Sequence, residues 1–391
     1  MLQFWRIKER SEDFFMLIKN GLIHDAVNAA PYEADILTHG GKIVAIGKGL
    51  LDNGVGEQVY DAAGKNVYPG LVEAHCHIGL DNYGTGPVGH DYNERNDTAS
   101  PQLRGIDSFN PFDKSIKNAL AGGVTTVCTG PGSANVLGGT FIAVKMRGVC
   151  VDDMIVKSPV AMKCAFGENP KRVYSDKGVS ARMTIAAKLR EALFKAREYM
   201  EKKESGDKPS FDMKSEALIP VLKGEIPLKA HAHRADDICT AIRIAKEFDI
   251  KLTLEHCTEG HLIADIIARS GYPVAVGPTN SSASKVELAN KDYETAGILQ
   301  RAGVSVSIIT DSPVICQENL PICAGLAVKA GMDPFEALKA ITINPARHIG
   351  IADRVGSLEA GKDADIVITD GDIFSSSTKV LAVFLNGEKA V

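Results

Sequence analysis

The chain has 391 residues, of which 45% are hydrophobic and 24% are charged, and its formal net charge is -5. This composition is typical of a soluble enzyme with one large domain and a smaller one. The acidic balance and the lack of a basic tract argue against nucleic acid as a partner. The lack of any apolar run of about 18 residues argues against a membrane-spanning helix.

The first fifteen residues differ in character from the rest of the chain. Residues 1–15, MLQFWRIKERSEDFF, are too charged for a secretory signal, and the next stretch, MLIKNGLIHD, predicts a strand. Residues 1–15 are therefore expected to be an extension outside the fold. The eight cysteines form no CxxC pair and no regular framework, so we expect reduced thiols in a cytoplasmic protein.

Short strands and turns are predicted at both ends of the chain, over residues 16–66 and 353–391. The stretch His39-Gly40-Gly41-Lys42 is typical of a hairpin turn between two of them. Because both ends share this pattern, they are expected to form one small β-sandwich domain.

Residues 67–352 alternate buried-type strands with amphipathic helices, which favours parallel βα units. Over this length the pattern predicts an α/β fold, a (β/α)8 TIM-like barrel. An eighth strand is expected within 139–157, where two stretches compete. Seven strands are predicted at 67–75, 124–130, 159–167, 226–233, 250–257, 272–278 and 304–311. Helices are predicted at 179–204, 235–248, 259–269, 291–302 and 318–330.

Five histidines stand at the ends of three predicted strands: His75 and His77, His231 and His233, and His256. Residues two apart in a strand point to the same side. All strands of a parallel barrel end at one rim, so the five imidazoles are expected to converge there.

A single histidine at a strand end is most often a hydrogen-bonded structural residue. Several neutral imidazoles packed together each carry an acceptor nitrogen that needs a partner, and a metal satisfies them best. Zinc is the expected ion, with manganese, iron and nickel as alternatives. Asp311 ends another strand at the same rim, where it is expected to bind metal and carry a proton, although a turn role is common for Asp before Ser-Pro.

Two further residues are candidates to bridge two ions. Lys163 lies inside an apolar strand, where a free ammonium is costly to bury, and Glu168 follows Gly167 at the strand end. The glutamate would bridge directly, and the lysine only after carboxylation by carbon dioxide.

The segment 78–111 is long for a βα connection and contains His90, so it is interpreted either as a solvated loop or as a substrate-binding lid. Arg172 and Tyr174 follow Glu168 and would suit a carboxylate-bearing substrate, although surface positions on a helix start explain them equally well.

These motifs resemble a known superfamily. YPGLVEAHCHIG resembles the first-strand motif of the amidohydrolase superfamily, and NPARHIGIADRVGSLEAGKDADIVI resembles its return from barrel to β-domain. With HAH, EHC and TDSP the resemblance covers nearly all of 16–391. Within the superfamily, GPGSANVLGG, GENPKRVY and NERNDTASPQLRGIDSFNPFD resemble a subgroup related to imidazolonepropionases and metal-dependent dipeptidases.

The resemblance implies one or two divalent metal ions held by His75, His77, His231, His256 and Asp311. Lys163 matches the carboxylated lysine of many members. FGEN resembles the Gly-Glu of the adenine deaminases, and Glu168 is the preferred bridge because it stands farther out at the strand end. His233 has no firm counterpart and is expected to contact substrate.

With these ligands, the expected function is hydrolysis of a C–N bond in a small molecule, such as an amide, cyclic amide or dipeptide, by metal-activated water. Asp311 is the expected base and then acid. Deamination of an amino-heterocycle is the alternative, and a non-catalytic scaffold is disfavoured because no ligand is missing. The sequence is compatible with a homo-oligomer.

Overall fold

The computed structural model describes residues 15–50 and 58–391. The strands are β1 (Phe15–Ile23), β2 (Tyr32–His39), β3 (Lys42–Gly47), β4 (Gln58–Asp61), β5 (Asn66–Pro69), β6 (Leu71–Cys76), β7 (Val124–Thr129), β8 (Leu137–Thr140), β9 (Ile142–Lys145), β10 (Ile155–Lys157), β11 (Met162–Ala165), β12 (Leu228–Ala232), β13 (Leu252–His256), β14 (Val274–Val276), β15 (Val306–Ile308), β16 (Ile366–Thr369), β17 (Val380–Leu385) and β18 (Glu388–Lys389). The helices are α1 (Lys114–Ala121), α2 (Val151–Met154), α3 (Glu168–Val173), α4 (Arg182–Glu204), α5 (Met213–Leu222), α6 (Ala235–Phe248), α7 (Ala264–Ser270), α8 (Thr295–Arg301), α9 (Leu320–Lys329), α10 (Pro334–Lys339) and α11 (Ile343–His348).

Strands from the two ends of the chain form one mixed sheet. Its order is β18-β17-β16-β5-β1-β2-β3, and β4 pairs with β1 as an eighth strand. β2 and β3 form the predicted hairpin, with positive φ at both Gly40 and Gly41, a conformation that glycine adopts without steric cost. The expected β-sandwich of two packed sheets is not confirmed, because these strands are hydrogen-bonded into a single sheet. The domain boundaries stay a prediction.

Of the predicted extension, residues 1–14 lie outside the described residues. Phe15 is the first residue of β1, and its ring stacks on that of His39 with centroids 4.1 Å apart. The strand therefore begins one residue before the predicted boundary.

Seven buried strands form two parallel groups. β6 pairs with β7, and β11 to β15 pair with one another in chain order. They coincide with the seven strands predicted from apolar runs, and every residue in them is buried. Their carboxyl ends therefore carry the candidate site residues.

The expected eighth parallel strand is not found within 139–157. β8 pairs antiparallel with β11, and β9 pairs antiparallel with β7 and β10. Both competing stretches thus contain strands, and these strands lie between the two parallel groups. At the other edge, the backbone N–H of His77 donates to the carbonyl of Ser312 at 2.8 Å, which brings the end of β6 to the segment after β15.

The predicted helices are present. α6 buries Ile238, Ala241, Ile242, Ala245 and Phe248, a helical spacing that forms one apolar face. Together with the strands this face belongs to the main hydrophobic core. Among residues 15–50 and 58–391, no helix is long and apolar enough to cross a membrane.

Candidate metal centre

The five predicted histidines lie in one buried cluster. Ring centroids are 5.3 Å apart for His75 and His77, 5.2 Å for His75 and His256, and 4.3 Å for His231 and His256. His233 completes the group, 4.7 Å from His231. All five are at most 7% exposed. The structure therefore brings the three strand ends together as the spacing predicts.

Burial decides the charge of these rings. It lowers the pKa of His75, His231 and His233 well below the ordinary value, and lowers that of His256 to about 4. Neighbouring histidines and Lys163 add to the effect. These four rings are consequently neutral at physiological pH, which is the form that binds a metal.

The outer nitrogens of two histidines are fixed by backbone carbonyls. Nδ1 of His77 lies 2.8 Å from the carbonyl of Gly130, and Nδ1 of His256 lies 2.8 Å from that of Gly277. A carbonyl only accepts, so each Nδ1 carries the proton and donates it. In the neutral ring, Nε2 then carries a free electron pair, which is the ordinary arrangement of a metal-binding histidine.

Asp311 joins the cluster from the segment after β15. Its Oδ1 lies 3.4 Å from Nε2 of His77 and 3.6 Å from Nε2 of His75. Burial would raise the pKa of Asp311, but His256 and His77 hold it below the ordinary value. The side chain is therefore a carboxylate that faces the imidazoles.

Strained backbone places two of these side chains. φ is 75° at His256 and 51° at Asp311, in the left-handed region that costs non-glycine residues about 1–3 kcal/mol. In a regular strand Glu255 and His256 would point to opposite sides. Here both face His75, because the left-handed turn at His256 redirects its ring.

The two candidate bridging residues are placed differently. Nζ of Lys163 lies 3.2 Å from Nε2 of His75, and the residue is fully buried. Burial lowers the pKa of Lys163 to about 8. Glu168 begins α3 and is half-buried, and its backbone N–H donates to Oε2 of Glu287 at 2.9 Å. Lys163 therefore contacts a predicted ligand and Glu168 lies at the start of α3, while the preference for Glu168 as the bridge stays a prediction.

Several buried polar atoms of the cluster have no hydrogen-bond partner among the described residues. They include Nδ1 of His75, Nδ1 of His231, Nε2 of His256 and Oδ1 of Asp311. An unsatisfied buried group costs about 1–3 kcal/mol, so several in one place need an explanation. Two groups of ligand atoms lie within 4.8 Å of one another, one from His75, His256 and Asp311, the other from His231, His233 and His256. Imidazole and carboxylate donors at this spacing fit one or two divalent ions.

The four predicted substrate-binding residues have different surroundings. His233 lies in the cluster, where Nδ1 is 2.7 Å from Oγ1 of Thr258. His90 is outside it, with Nε2 3.5 Å from Oδ1 of Asp81. Arg172 is exposed on α3. Of the four, only His233 therefore lies among the candidate ligands.

Tyr174 is buried and holds the long segment after β6. Its hydroxyl lies 2.7 Å from the carbonyl of Glu94 and 2.8 Å from that of Asp97. It also accepts a hydrogen bond from Nδ2 of Asn135 at 2.9 Å. These contacts tie Tyr174 to the segment that contains Glu94 and Asp97, and its predicted substrate contact stays a prediction.

The same segment contributes a residue that the sequence did not single out. The ring of Tyr92 stacks on that of His77, with centroids 5.2 Å apart and planes 16° apart. Tyr92 and His90 also line a cavity of about 270 Å³ beside the cluster. Only the placement of this segment directly after the His75-Cys76-His77 strand end pointed to such a contact.

Three more residues of the site were not assigned from sequence. Glu287 lies in the connection between β14 and α8, with Oε1 3.7 Å from Nε2 of His233. Glu255 and Lys229 form a buried ion pair behind His75, with Nζ and Oε2 2.9 Å apart. Each is nearly fully buried, and a buried charge with a partner beside perturbed histidines is typical of a functional site.

Buried histidines and a carboxylate at the ends of parallel strands form groups of ligand atoms spaced as a metal ion requires. A model of the amidohydrolase family matches residues 66–390, and the chain belongs to that family. Its structural neighbours imply a TIM-like barrel for the parallel strands. The crystal structure of an amidohydrolase from Thermotoga maritima MSB8 superposes with a TM-score of 0.93 and 40% identity, and the match covers 96% of this chain and 99% of that one.

Relatives in sequence include an amidohydrolase and an imidazolonepropionase. The chain is 27% identical over 385 residues to the amidohydrolase tasK of Hapsidospora irregularis, a match that covers 90% of this chain and 39% of that protein. It is 43% identical over 88 residues to the imidazolonepropionase of Thermoplasma volcanium, covering 22% of each chain. The chain thus aligns with well under two thirds of the length of these curated relatives. The resemblance to imidazolonepropionases that the motifs indicated is confirmed.

Proposed function

We propose that the protein is a metal-dependent hydrolase that cleaves a C–N bond in a small substrate. One observation carries this proposal, the convergence of buried imidazole nitrogens of His75, His77 and His256 on the carboxylate of Asp311. Nε2 of His256 and Oδ1 of Asp311 have no hydrogen-bond partner among the described residues. Zinc is the proposed ion, because the donors are mainly imidazole nitrogens. We further propose that the parallel strands close as a barrel around this cluster and that the enzyme acts in the cytoplasm.

His75, His77, His231, His256 and Asp311 would hold the ion or ions. A divalent ion bound there supplies the Lewis acidity that ionises water near neutral pH and polarises the scissile carbon. Asp311 accepts a proton from the attacking water and returns it to the leaving nitrogen, so it acts first as base and then as acid. The pKa of Asp311 lies below the ordinary value, and the resulting carboxylate suits the first of these steps.

Lys163 is the proposed bridge between two ions. Its buried amine lies against Nε2 of His75, where an ammonium has no carboxylate in hydrogen-bond contact among the described residues. Addition of carbon dioxide to the neutral amine gives a carbamate and releases one proton. The carbamate would present two oxygens that share one negative charge, and hard or borderline cations favour such oxygens.

Substitution of the two candidates separates them. Lys163→Ala should lose about one equivalent of metal and reduce turnover, and short carboxylic acids should restore part of it by filling the space left by the side chain. Glu168→Gln should keep metal and turnover within about twofold, because the glutamate that lies beside His231 and His233 is Glu287. Metal content of both purified variants by elemental analysis decides the matter. Loss of one equivalent from Glu168→Gln alone would make Glu168 the bridge.

The substrate class is proposed from the cavity beside the cluster. This cavity of about 270 Å³ has a polar lining that includes His90, Tyr92, Glu94 and Arg104. A space of that size suits a small polar molecule. Together with the resemblance to imidazolonepropionases, this favours a cyclic amide, with linear amides and dipeptides as related substrates.

The direct test is a screen of the metal-loaded protein against lactams, imidazolones, N-acyl amino acids, dipeptides and aminopurines. We expect hydrolysis of an amide or cyclic amide without release of free ammonia. Ammonia release from an aminopurine would make the enzyme a deaminase. No turnover in any class by protein that carries its full metal complement would contradict the proposed activity.

A further inference from the structure

We infer that Glu255, anchored by Lys229 and His348, is a positioning residue that orients His75 for metal binding. The inference rests on the proposed function, since it assigns a role to residues behind one proposed ligand. It concerns the side of His75 that faces away from Asp311.

The two ring nitrogens of His75 face different groups. Nε2 of His75 faces Asp311 and Lys163, whereas Nδ1 lies 3.5 Å from Oε2 of Glu255. Nδ1 of His75 is buried and lacks a hydrogen bond among the described residues, whereas Oε2 of Glu255 has the Lys229 ammonium 2.9 Å away as its ion-pair partner. The two atoms therefore face each other as a donor and an acceptor that are not yet in close contact. A ligand on Nε2 would fix the proton on Nδ1, which then donates to this carboxylate.

Glu255 is held firmly from the other side. Oε1 accepts from Nε2 of His348 at 2.9 Å and from the hydroxyl of Thr253 at 2.7 Å. Lys229 pairs with Oε2 at 2.9 Å and donates to the carbonyl of Ala74 at 3.0 Å. Three separate elements, β12, β13 and α11, thus fix one carboxylate. Burial would raise the pKa of Glu255, but Lys229 and His348 hold it below the ordinary value.

His75 differs from two neighbouring histidines in the group that its Nδ1 faces. Nδ1 of His77 and Nδ1 of His256 face neutral carbonyls, of Gly130 and Gly277 respectively. A carboxylate behind the ring makes the other nitrogen a stronger electron donor than a carbonyl does. His75 is therefore expected to be the strongest imidazole donor of these three.

The ion pair of Lys229 and Glu255 is unusual because it is almost completely buried. Lys229 and Glu255 are 1% and 0% exposed, and replacing such a pair by apolar residues often costs nothing in stability. Stability alone gives no reason to keep charges there. Their contact with a proposed metal ligand does give one.

The test uses charge-balanced variants, because a single substitution would strand a buried charge. Lys229→Met/Glu255→Gln removes both charges and keeps the volume. The matched control is Lys145→Met/Asp365→Asn, which removes another buried pair whose contacts lie toward the terminal sheet. Cobalt affinity and the visible absorption of the cobalt-loaded proteins are measured, together with melting temperature.

We expect the Lys229→Met/Glu255→Gln variant to bind cobalt about 10- to 100-fold more weakly than the unaltered protein, the usual effect of removing such a partner, with a changed absorption spectrum. The control should keep affinity and spectrum even if it melts earlier. His348→Leu should weaken binding, and His348→Gln should restore it, because the glutamine amide can still donate to Glu255.

Unaltered affinity and spectrum in the Lys229→Met/Glu255→Gln variant would overturn the inference, as would an equal loss in the control. These outcomes are distinct from failure of the proposed function, in which the unaltered protein itself binds no cobalt at the cluster.

Discussion

Asp311→Asn should abolish most turnover while leaving the protein folded and metal-loaded. The amide keeps the size of the side chain and an oxygen that can approach a metal, but it does not accept a proton near neutral pH. We expect kcat to fall by about 10²–10⁴-fold, the scale of losing a general acid–base. KM should change little, because the proton moves in the transition state and not during docking. Steady-state kinetics with metal analysis on the same preparation provide the measurement.

The backbone conformation at Asp311 tolerates asparagine, and a second aspartate with a similar φ provides a control. φ is 51° there, and asparagine tolerates the left-handed region as well as aspartate does. Asp249 has a similar φ of 54° at the end of α6. Asp249→Asn should therefore leave kinetics unchanged. If metal-loaded Asp311→Asn turned over at the unaltered rate, Asp311 would be a turn residue and not the proton carrier.

Removal of metal should eliminate activity and lower the melting temperature. Within the described part of the chain, buried nitrogen and oxygen atoms of the cluster have no partners, and a bound ion would satisfy them only in the folded state. At a metal concentration of 100 times Kd this linkage stabilises the fold by about 2.7 kcal/mol. Chelation followed by dialysis, and then stepwise return of zinc or manganese, should give parallel recovery of activity and melting temperature.

A His75→Ala variant controls for nonspecific metal effects, because this substitution removes one proposed ligand from the cluster. Added metal should raise its melting temperature less than that of the unaltered protein. Full activity of protein shown by elemental analysis to lack metal would rule out the metal-dependent mechanism.

The sequence predicted the histidine cluster because its signal is local. Period-two spacing puts His75 with His77, and His231 with His233, on one side of their strands, and parallel strands end at one edge. Period-two reasoning could not assign Glu255, because it places Glu255 and His256 on opposite sides. The left-handed backbone at His256 interrupts the strand alternation, and no sequence pattern predicts this conformation.

The preference for Glu168 over Lys163 came from counting residues toward the strand end. The structure shows two effects that such counting does not contain. The long side chain of Lys163 contacts His75 from within β11. Gly167, with a φ of 82°, precedes α3 and takes the chain out of the strand direction. Tyr174 was likewise predicted from proximity in sequence, whereas its contacts depend on where a distant segment lies.

The central claim is that an ion binds where the strand-end histidines meet Asp311, and diffraction at a metal absorption edge tests it most directly. Crystals of protein purified without chelator and supplied with zinc should show one or two anomalous peaks among Nε2 of His75, Nε2 of His77, Nε2 of His256 and Oδ1 of Asp311. Ligand distances should be about 2.0–2.2 Å. A fully zinc-equilibrated crystal with no peak in this cluster, or with the only peaks at the surface, would contradict the account.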